Sequence, residues 1–278
     1  FVWYEKRQAH PMVDLNLFKN ARISAAAGSI GIAFMAMLGM MFLLTQYLQF
    51  VQGYSPLDTG YRLVPMAMGF LVGAPTSAAF VAKTNAKVVM SVGMLLVAIA
   101  VGSMAFLDVG TTYWLTGSLI FLMGLGMANT MAPATDSVMA AVPEAQAGVG
   151  SALNDTVRQI GGALGVGIFG SIMSSVYASS MTDAVVGLPT AAADAASNQI
   201  GAALQVAGSL EDGAGGELVT ASKQAFIDGA SSVYIIAGIV ALIGMAFVVK
   251  FMPGYDLVPG EVEDDTATRP VVATELAT

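Results

Sequence analysis

The stretch "QIGGALGVGIFGSIMSSVYASSMT", residues 159–182, carries no charged side chain and contains a literal G-x-G-x-x-G at Gly165, Gly167 and Gly170. That motif marks a dinucleotide site only when a strand precedes it and a βαβ unit surrounds it. Here the glycines lie inside a run of helical pattern, about as long as the ~20 apolar residues that a helix needs to cross a bilayer. The stretch therefore predicts a membrane-spanning helix whose glycines serve packing, and no dinucleotide cofactor.

The same pattern recurs along the chain. Its 278 residues are 56% hydrophobic and only 11% charged, against roughly 25% charged in an ordinary soluble domain. Spans must satisfy their own backbone hydrogen bonds, and the ~10-residue alternation of β-barrel strands does not occur in this sequence, so the spans are predicted to be helices. The sequence predicts an all-α integral membrane protein, a six-helix bundle over residues 23–252. The predicted spans, each built on a long charge-free run, lie near residues 24–50, 61–82, 87–107, 113–135, 157–180 and 231–251.

The basic residues predict the orientation, because Lys and Arg concentrate on the cytoplasmic side of short loops. If residues 1–22 are inside, only Arg62 and Lys223 of the 11 basic residues lie outside. The chain is then predicted to lie in the cell membrane, in contact with the lipid bilayer, and to have four parts. They are the end of a preceding span and a cytoplasmic linker (residues 1–22), the bundle, an external loop with one or two surface helices (181–230), and an acidic, disordered cytoplasmic tail (253–278).

The glycines of the fifth span divide between two helix faces. At 100° per residue, one face carries Gly161, Gly162 and Gly165, while Gly167 and Gly170 fall on roughly the opposite face. Small residues let helix backbones approach closely in lipid. The spacing therefore predicts two close neighbours for this helix.

Two longer stretches carry a family resemblance. "TQYLQFVQGYSPLDTGYRLVP" (residues 45–65) and "PEAQAGVGSALNDTVRQIGGALGVGIFGS" (143–171) resemble the C-terminal half of fourteen-span drug:proton antiporters of the major facilitator superfamily. The resemblance implies spans nine to fourteen of such a transporter, with residues 1–4 as the end of span eight. It also implies a missing N-terminal half, a small hydrophobic substrate and proton exchange.

The turn between the second and third spans weakly echoes the signature loop of that superfamily, G-x-L-a-D-R-x-G-R-R. Lys83 and Lys87 match two basic positions, but Ala82 stands in place of the acid and Asn85 in place of the glycine. The echo favours a cytoplasmic gating turn; the alternative is a pair of ordinary positive-inside anchors.

Polar residues within spans are costly and usually face a cavity or a partner. The resemblance makes the first and fourth spans cavity-lining helices. We therefore predict substrate contacts on these two spans, in an otherwise apolar cavity where flexible methionines suit varied ligands. For Asn129 the alternative is an interhelical hydrogen bond, for Gln49 a loop cap, and for each methionine ordinary packing. The candidates are Gln46, Gln49, Met41, Ser118 and Asn129.

Charged residues near the cytoplasmic interface are candidates for gating or coupling. Arg158 shares a helix face with Asn154 and Gly161, and its guanidinium can bind several acceptors at once, including helix carbonyls, Asp155 or Asp136. We predict a structural or gating latch for Arg158; the alternative is a positive-inside anchor. Asp136 could titrate or pair with Arg158; the alternative is a plain interfacial acid. With Lys83 and Lys87, these residues complete the predicted gating set.

Other functions are excluded or less favoured. The chain has no cysteine, its single His10 lies alone, and no span presents paired carboxylates or a nucleophile with its base, so neither a metal site nor an enzyme is predicted. A net charge of −8 argues against a nucleic-acid partner. The leading hypothesis is a drug exporter driven by proton antiport. The alternatives are transport of an amino acid, sugar or lipid precursor, and a non-transporting sensor or assembly partner.

Overall fold

The computed structural model describes residues 21–142 and 147–254. The predicted end of a preceding span, most of the linker, and nearly all of the acidic tail lie outside the described residues. Within them the chain forms helices and no strand, which confirms the all-α prediction. In order, the helices are α1 (Ala21–Gln46), a π-helical turn (Tyr47–Val51), α2 (Pro56–Arg62), α3 (Val64–Lys83), α4 (Ala86–Ser103), a 3₁₀ turn (Met104–Phe106), α5 (Tyr113–Ala140), α6 (Ala147–Met181), α7 (Thr190–Asn198), α8 (Ile200–Ala207) and α9 (Asp212–Phe251).

Six helical segments are long and apolar enough to cross a bilayer, and each overlaps one of the predicted spans. We number them first to sixth in chain order. The bounds are Ala21–Val51, Pro56–Lys83, Ala86–Phe106, Tyr113–Ala140, Ala147–Met181 and Gly213–Phe251.

Several helices extend beyond the charge-free runs, because a charge limits what can lie in hydrocarbon but does not end a helix. The fourth span continues through Pro133 to Ala140, and the fifth begins at Ala147, before Arg158. The second span is interrupted at Leu63, since Pro65 has no N–H to continue the α-helical ladder.

The irregular connection between the fifth and sixth spans is shorter than the predicted loop 181–230. Helices α7 and α8 occupy its middle, and α9 begins at Asp212 and runs unbroken into the sixth span. The two short helices also bury one face each: Ala196, Ile200 and Ala203 are each no more than 2% exposed. Alanine-rich faces of this kind pack closely, so this segment is part of the bundle's end rather than a free surface loop.

The packing joins the spans in a defined order. The first span packs along the fifth, the fourth packs on both the second and the third, and the sixth lies against the third, fifth and first. The second span, the least buried of the six, rests almost entirely on the fourth. A larger buried core extends from the middle of the bundle to the end where α7 and α8 lie, and a smaller one around Ile23, Met90 and Val248 fills the end where the second and sixth spans finish.

Candidate functional site

Arg158 is the centre of a polar cluster between the first, fourth and fifth spans. Its Nη2 donates to Thr135 Oγ1 at 3.2 Å, and its Nη1 lies 3.6 Å from Asp155 Oδ1. The guanidinium carbon is 5.6 Å from the centre of the Phe34 ring. One cation thus touches a hydroxyl of the fourth span, a carboxylate of its own helix and an aromatic ring of the first span.

The polar atoms of this region are not all satisfied within the protein. Asn154 Oδ1, Ser137 Oγ and Arg158 Nε are buried without a hydrogen-bond partner among the described residues. A buried polar group without a partner costs free energy, so such atoms favour either bound water or an alternative arrangement in which they are paired. The cluster therefore has the unmet bonding capacity that a switchable contact needs.

A first cavity, which we call the Gln46 cavity, lies where the first, fifth and sixth spans meet the junction of α7 and α8. Its volume is about 300 Å³. Gln46 Nε2 donates to Phe42 O at 3.3 Å, and its side-chain oxygen accepts no hydrogen bond from the described residues. The wall combines apolar and amide or hydroxyl side chains. The lining residues are Phe42, Gln46, Val166, Gly167, Gly170, Met173, Ser174, Tyr177, Asn198, Gln199, Ile200 and Phe226.

A second cavity, which we call the Asn129 cleft, lies between the second, third and fourth spans and has a volume of about 370 Å³. Asn129 is 7% exposed and its Nδ2 donates back to Leu125 O at 2.8 Å. Apart from Asn129 and two threonines, the wall is apolar. The lining residues are Val72, Thr76, Phe80, Thr84, Val88, Val89, Val92, Leu96, Leu125 and Asn129.

The sequence also matches a known family of membrane transport proteins. The profile of the Major Facilitator Superfamily matches residues 5–166, more than half of the chain. The chain belongs to the major facilitator superfamily. With six helices that can span a bilayer, this facilitator is a multi-pass membrane protein.

Several relatives of this facilitator are named for drug resistance or export. The Tetracenomycin C resistance and export protein of Streptomyces glaucescens is 31% identical, over 88% of this chain and 47% of the relative. The Multidrug efflux pump LfrA of Mycolicibacterium smegmatis is 28% identical, over 89% and 50%. The Methyl viologen resistance protein SmvA of Salmonella typhimurium is 29% identical, over 82% and 46%. The chain spans about half the length of the relatives it matches.

The structure does not bring the predicted substrate contacts of this facilitator together. Gln46 and Asn129 line different cavities, on different spans. Ser118 is exposed in a third depression beside Trp114 and donates to Trp114 O at 2.7 Å. Gln49 lies in the π-helical turn and lines neither named cavity, and Met41 is half-buried against the main core. The fourth-span face that carries Ser118 and Asn129 is turned toward the second and third spans, whereas the prediction had it share a cavity with the first span.

The predicted gating residues also separate. Of the two acids predicted as partners of Arg158, Asp155 forms the ion pair, whereas Asp136 is exposed and forms none with it. The reason is spacing, since Asp155 lies one helical turn before Arg158 on the same helix. Lys83 is exposed at the end of the second span, and Lys87 is half-buried in the first turn of the third.

The two glycine faces of the fifth span behave differently. A Cβ atom on Gly161 or Gly165 would overlap the backbone oxygen of Gly31 or Met35, and one on Gly162 would overlap Leu38. On the other face, Gly167 has no neighbour within 4 Å among the described residues, and Gly170 has only Phe42 Cε1 at 3.7 Å. Within the described residues only the first face therefore meets a close helix neighbour, and the second face lines the Gln46 cavity through Gly167 and Gly170.

Sequence reasoning missed residues that build these sites. Asn198 and Gln199 line the Gln46 cavity, but the sequence analysis placed them on a surface helix. The feature that could have identified them is a pair of polar residues between two alanine-rich segments. Tyr47 was also missed: its hydroxyl donates to Asp108 O at 2.8 Å and accepts from Gln52 Nε2 at 2.7 Å. This network holds the π-helical end of the first span to the turn that follows the third span. No local sequence pattern predicts a contact between residues so far apart in the chain.

Proposed function

We propose that this chain is part of a secondary transporter that exports drugs or other hydrophobic compounds by proton antiport. The observation that carries the proposal is the Gln46 cavity, whose volume of about 300 Å³ and mixed wall of apolar groups and amides suit a drug-sized ligand. The drug-export names of the relatives, which match most of this chain, support the same function.

We propose further that the chain is the C-terminal half of a fourteen-span transporter and works against a second bundle. In the resulting rocking mechanism, each bundle moves largely as a rigid body around a central site. Residues 1–22 and the tail would be cytoplasmic, as the distribution of Lys and Arg favours. The close backbone contact between the first and fifth spans supports the rigid-body part of this mechanism, because interlocked helices move as one unit.

Within the bundle, the Gln46 cavity contributes substrate contacts. Phe42, Met173 and Phe226 supply apolar area, and the unpaired oxygen of Gln46 accepts a hydrogen bond from the ligand. A cavity that fixes its ligand mainly by apolar area and by few hydrogen bonds discriminates weakly between compounds. That property fits the export of several unrelated hydrophobic molecules.

Arg158 contributes a contact that opens and closes with the transport cycle. Its bond to Thr135 joins the fourth and fifth spans at the predicted cytoplasmic end, and its ion pair with Asp155, on the same helix, holds the guanidinium in place. Asn154 and Ser137, which are buried and unpaired, provide acceptor and donor groups for a second arrangement.

Proton coupling is tested by efflux. Cells that express the complete transporter, this chain joined to the proposed second bundle, are loaded with ethidium, methyl viologen or tetracenomycin C, and efflux is followed before and after an uncoupler collapses the proton gradient. We expect efflux of at least one compound, and its loss with the gradient. Efflux that continues unchanged without the gradient excludes proton antiport, and no efflux of any compound from a folded, membrane-inserted protein excludes drug export.

The substrate site is tested by Gln46→Leu, with Gln49→Leu as the matched control at the same helix end. Loss of one hydrogen bond to the ligand is expected to raise the apparent KM of affected compounds by about three- to tenfold. Compounds without a hydrogen-bond donor should be unaffected. An equal effect of both variants on all compounds would remove Gln46 from the substrate site.

A further inference from the structure

The Asn129 cleft opens on the outside of the bundle. Its lining residues come only from the second, third and fourth spans, and Phe80, Val88 and Val92 on its walls are 57%, 45% and 48% exposed. In a chain whose spans cross a bilayer, exposed apolar side chains within the hydrocarbon face lipid or another membrane-embedded bundle. The cleft opens between the second and third spans, and we take this side of the chain to face lipid rather than the second bundle proposed above.

The cleft has the length and polarity of a slot for one acyl chain. It follows the second span from Thr84 to Val72, which at a rise of 1.5 Å per residue is roughly 18 Å, close to the ~15 Å depth of one leaflet. The hydroxyls of its wall are bonded within their own helices: Thr76 Oγ1 donates to Val72 O at 2.8 Å, and Thr84 Oγ1 to Phe80 O at 2.7 Å. The amide of Asn129 is likewise turned back to Leu125 O. The slot thus presents mostly carbon to its occupant.

Two lysines stand at the end of the cleft that meets the membrane surface. Lys83 precedes the lining residue Thr84, and Lys87 precedes the lining residue Val88. Among the described residues, neither lysine has a carboxylate within 4 Å. Asp136 lies at the same end of the fourth span and is exposed, so the charges of these three side chains sum to a net positive value at the mouth. An apolar slot of leaflet depth with a positive mouth matches an amphiphile that has an acyl chain and an anionic head.

We propose that the Asn129 cleft binds one phospholipid with an anionic headgroup. One acyl chain lies in the slot between the second, third and fourth spans, and the phosphodiester faces Lys83 and Lys87. Under the proposed orientation this lipid belongs to the cytoplasmic leaflet, whose anionic lipids attract basic residues next to spans. The site rests on the proposed orientation of the chain in the membrane but not on the transport activity, and it replaces the substrate contact expected for Asn129.

The test compares lipid retention on the purified, detergent-solubilised protein by native mass spectrometry. The probes are phosphatidylglycerol and phosphatidylcholine with identical acyl chains, so that only the headgroup charge differs. Near a membrane surface, one lysine contributes about a fivefold preference for an anionic lipid, so Lys83→Gln or Lys87→Gln should each weaken phosphatidylglycerol retention about fivefold, and the double variant roughly thirtyfold. Lys250→Gln is the matched control, because Lys250 ends the sixth span on the same side of the bundle but away from the cleft.

A second pair of variants tests the slot itself. Val92→Phe fills the cleft and should reduce retention of both lipids, whereas Val249→Phe places the same ring on a sixth-span position that is equally exposed, 49% against 48%, and should change neither. Unchanged retention in the double lysine variant, or an equal loss in Lys250→Gln, overturns the headgroup assignment. Unchanged retention in Val92→Phe overturns the slot. Displacement of the lipid by glycerol phosphate alone would identify a free-anion site, and displacement by ethidium a substrate site; either result overturns the proposal.

Discussion

Replacing Gly165 by alanine tests the contact between the first and fifth spans with a single added carbon. The new Cβ would overlap the backbone oxygen of Met35. A backbone oxygen cannot turn aside as a flexible side chain can, so the two helices must separate by about 1 Å, and a gap of that size forfeits up to half of each affected dispersion contact. Overpacking of this kind typically costs about 1–3 kcal/mol.

The matched control is Gly167→Ala, two residues along the same helix. A Cβ there meets nothing within 4 Å in the part of the chain that the structure describes. Alanine is also the better helix former, by about 1 kcal/mol, so the control should be neutral or stabilising. Both variants change helix propensity equally, and their difference therefore reports the packing term alone.

The assay is thermal unfolding of the purified protein in detergent, read by a fluorescent reporter of exposed apolar surface. At roughly 2–4 °C per kcal/mol for a chain of this size, Gly165→Ala should unfold about 2–12 °C below the wild type, and Gly167→Ala at or above it. Gly161→Ala should resemble Gly165→Ala, and the double variant should lose less than the sum, because the first Cβ already separates the helices that the second would strain. Equal midpoints for Gly165→Ala and Gly167→Ala would refute the reasoning.

Two further variants test side-chain contacts. Tyr47→Phe removes the hydroxyl that joins Gln52 to Asp108 O and should cost about 1–2 kcal/mol of unfolding free energy, measured by the same thermal assay, while Tyr61→Phe, at a residue 66% exposed, should cost nothing measurable. Arg158→Lys keeps the charge but cannot hold Thr135 and Asp155 through one planar fork, so efflux should fall severalfold in the ethidium assay; full efflux would exclude the multidentate contact.

The fold was largely predictable because the bilayer imposes a simple rule. A charge within hydrocarbon is so costly that gaps between charges mark the spans, and all six gaps coincide with helices. Helix ends were less predictable, because capping and local proline chemistry decide them. The helix of the sixth span illustrates this. It begins at Asp212, in a polar segment well before the apolar run, and the positions of the charges do not indicate where it starts.

The sites were less predictable because helix periodicity gives a face but not its neighbour. Ser118 and Asn129 do share a face of the fourth span, yet that face looks toward the second and third spans. The glycines show the same limit. Gly165 allows the backbone of the first span to pack against the fifth, whereas Gly167 borders a cavity. Which of these occurs depends on where the other helices lie, and a single helix does not encode that.

The packing order gives the Arg158 contact a particular role. The first span is interlocked with the fifth, and the fourth with the second, whereas the fourth and fifth spans touch each other little. Among the described residues, the bond from Arg158 to Thr135 is the one side-chain hydrogen bond that joins them. Breaking it leaves both interlocked pairs intact, so Arg158→Lys should change efflux with little change in the unfolding midpoint, whereas Gly165→Ala should lower both. If Arg158→Lys instead lowered the midpoint as much as Gly165→Ala, the contact would be part of the bundle's stability and not a separable latch.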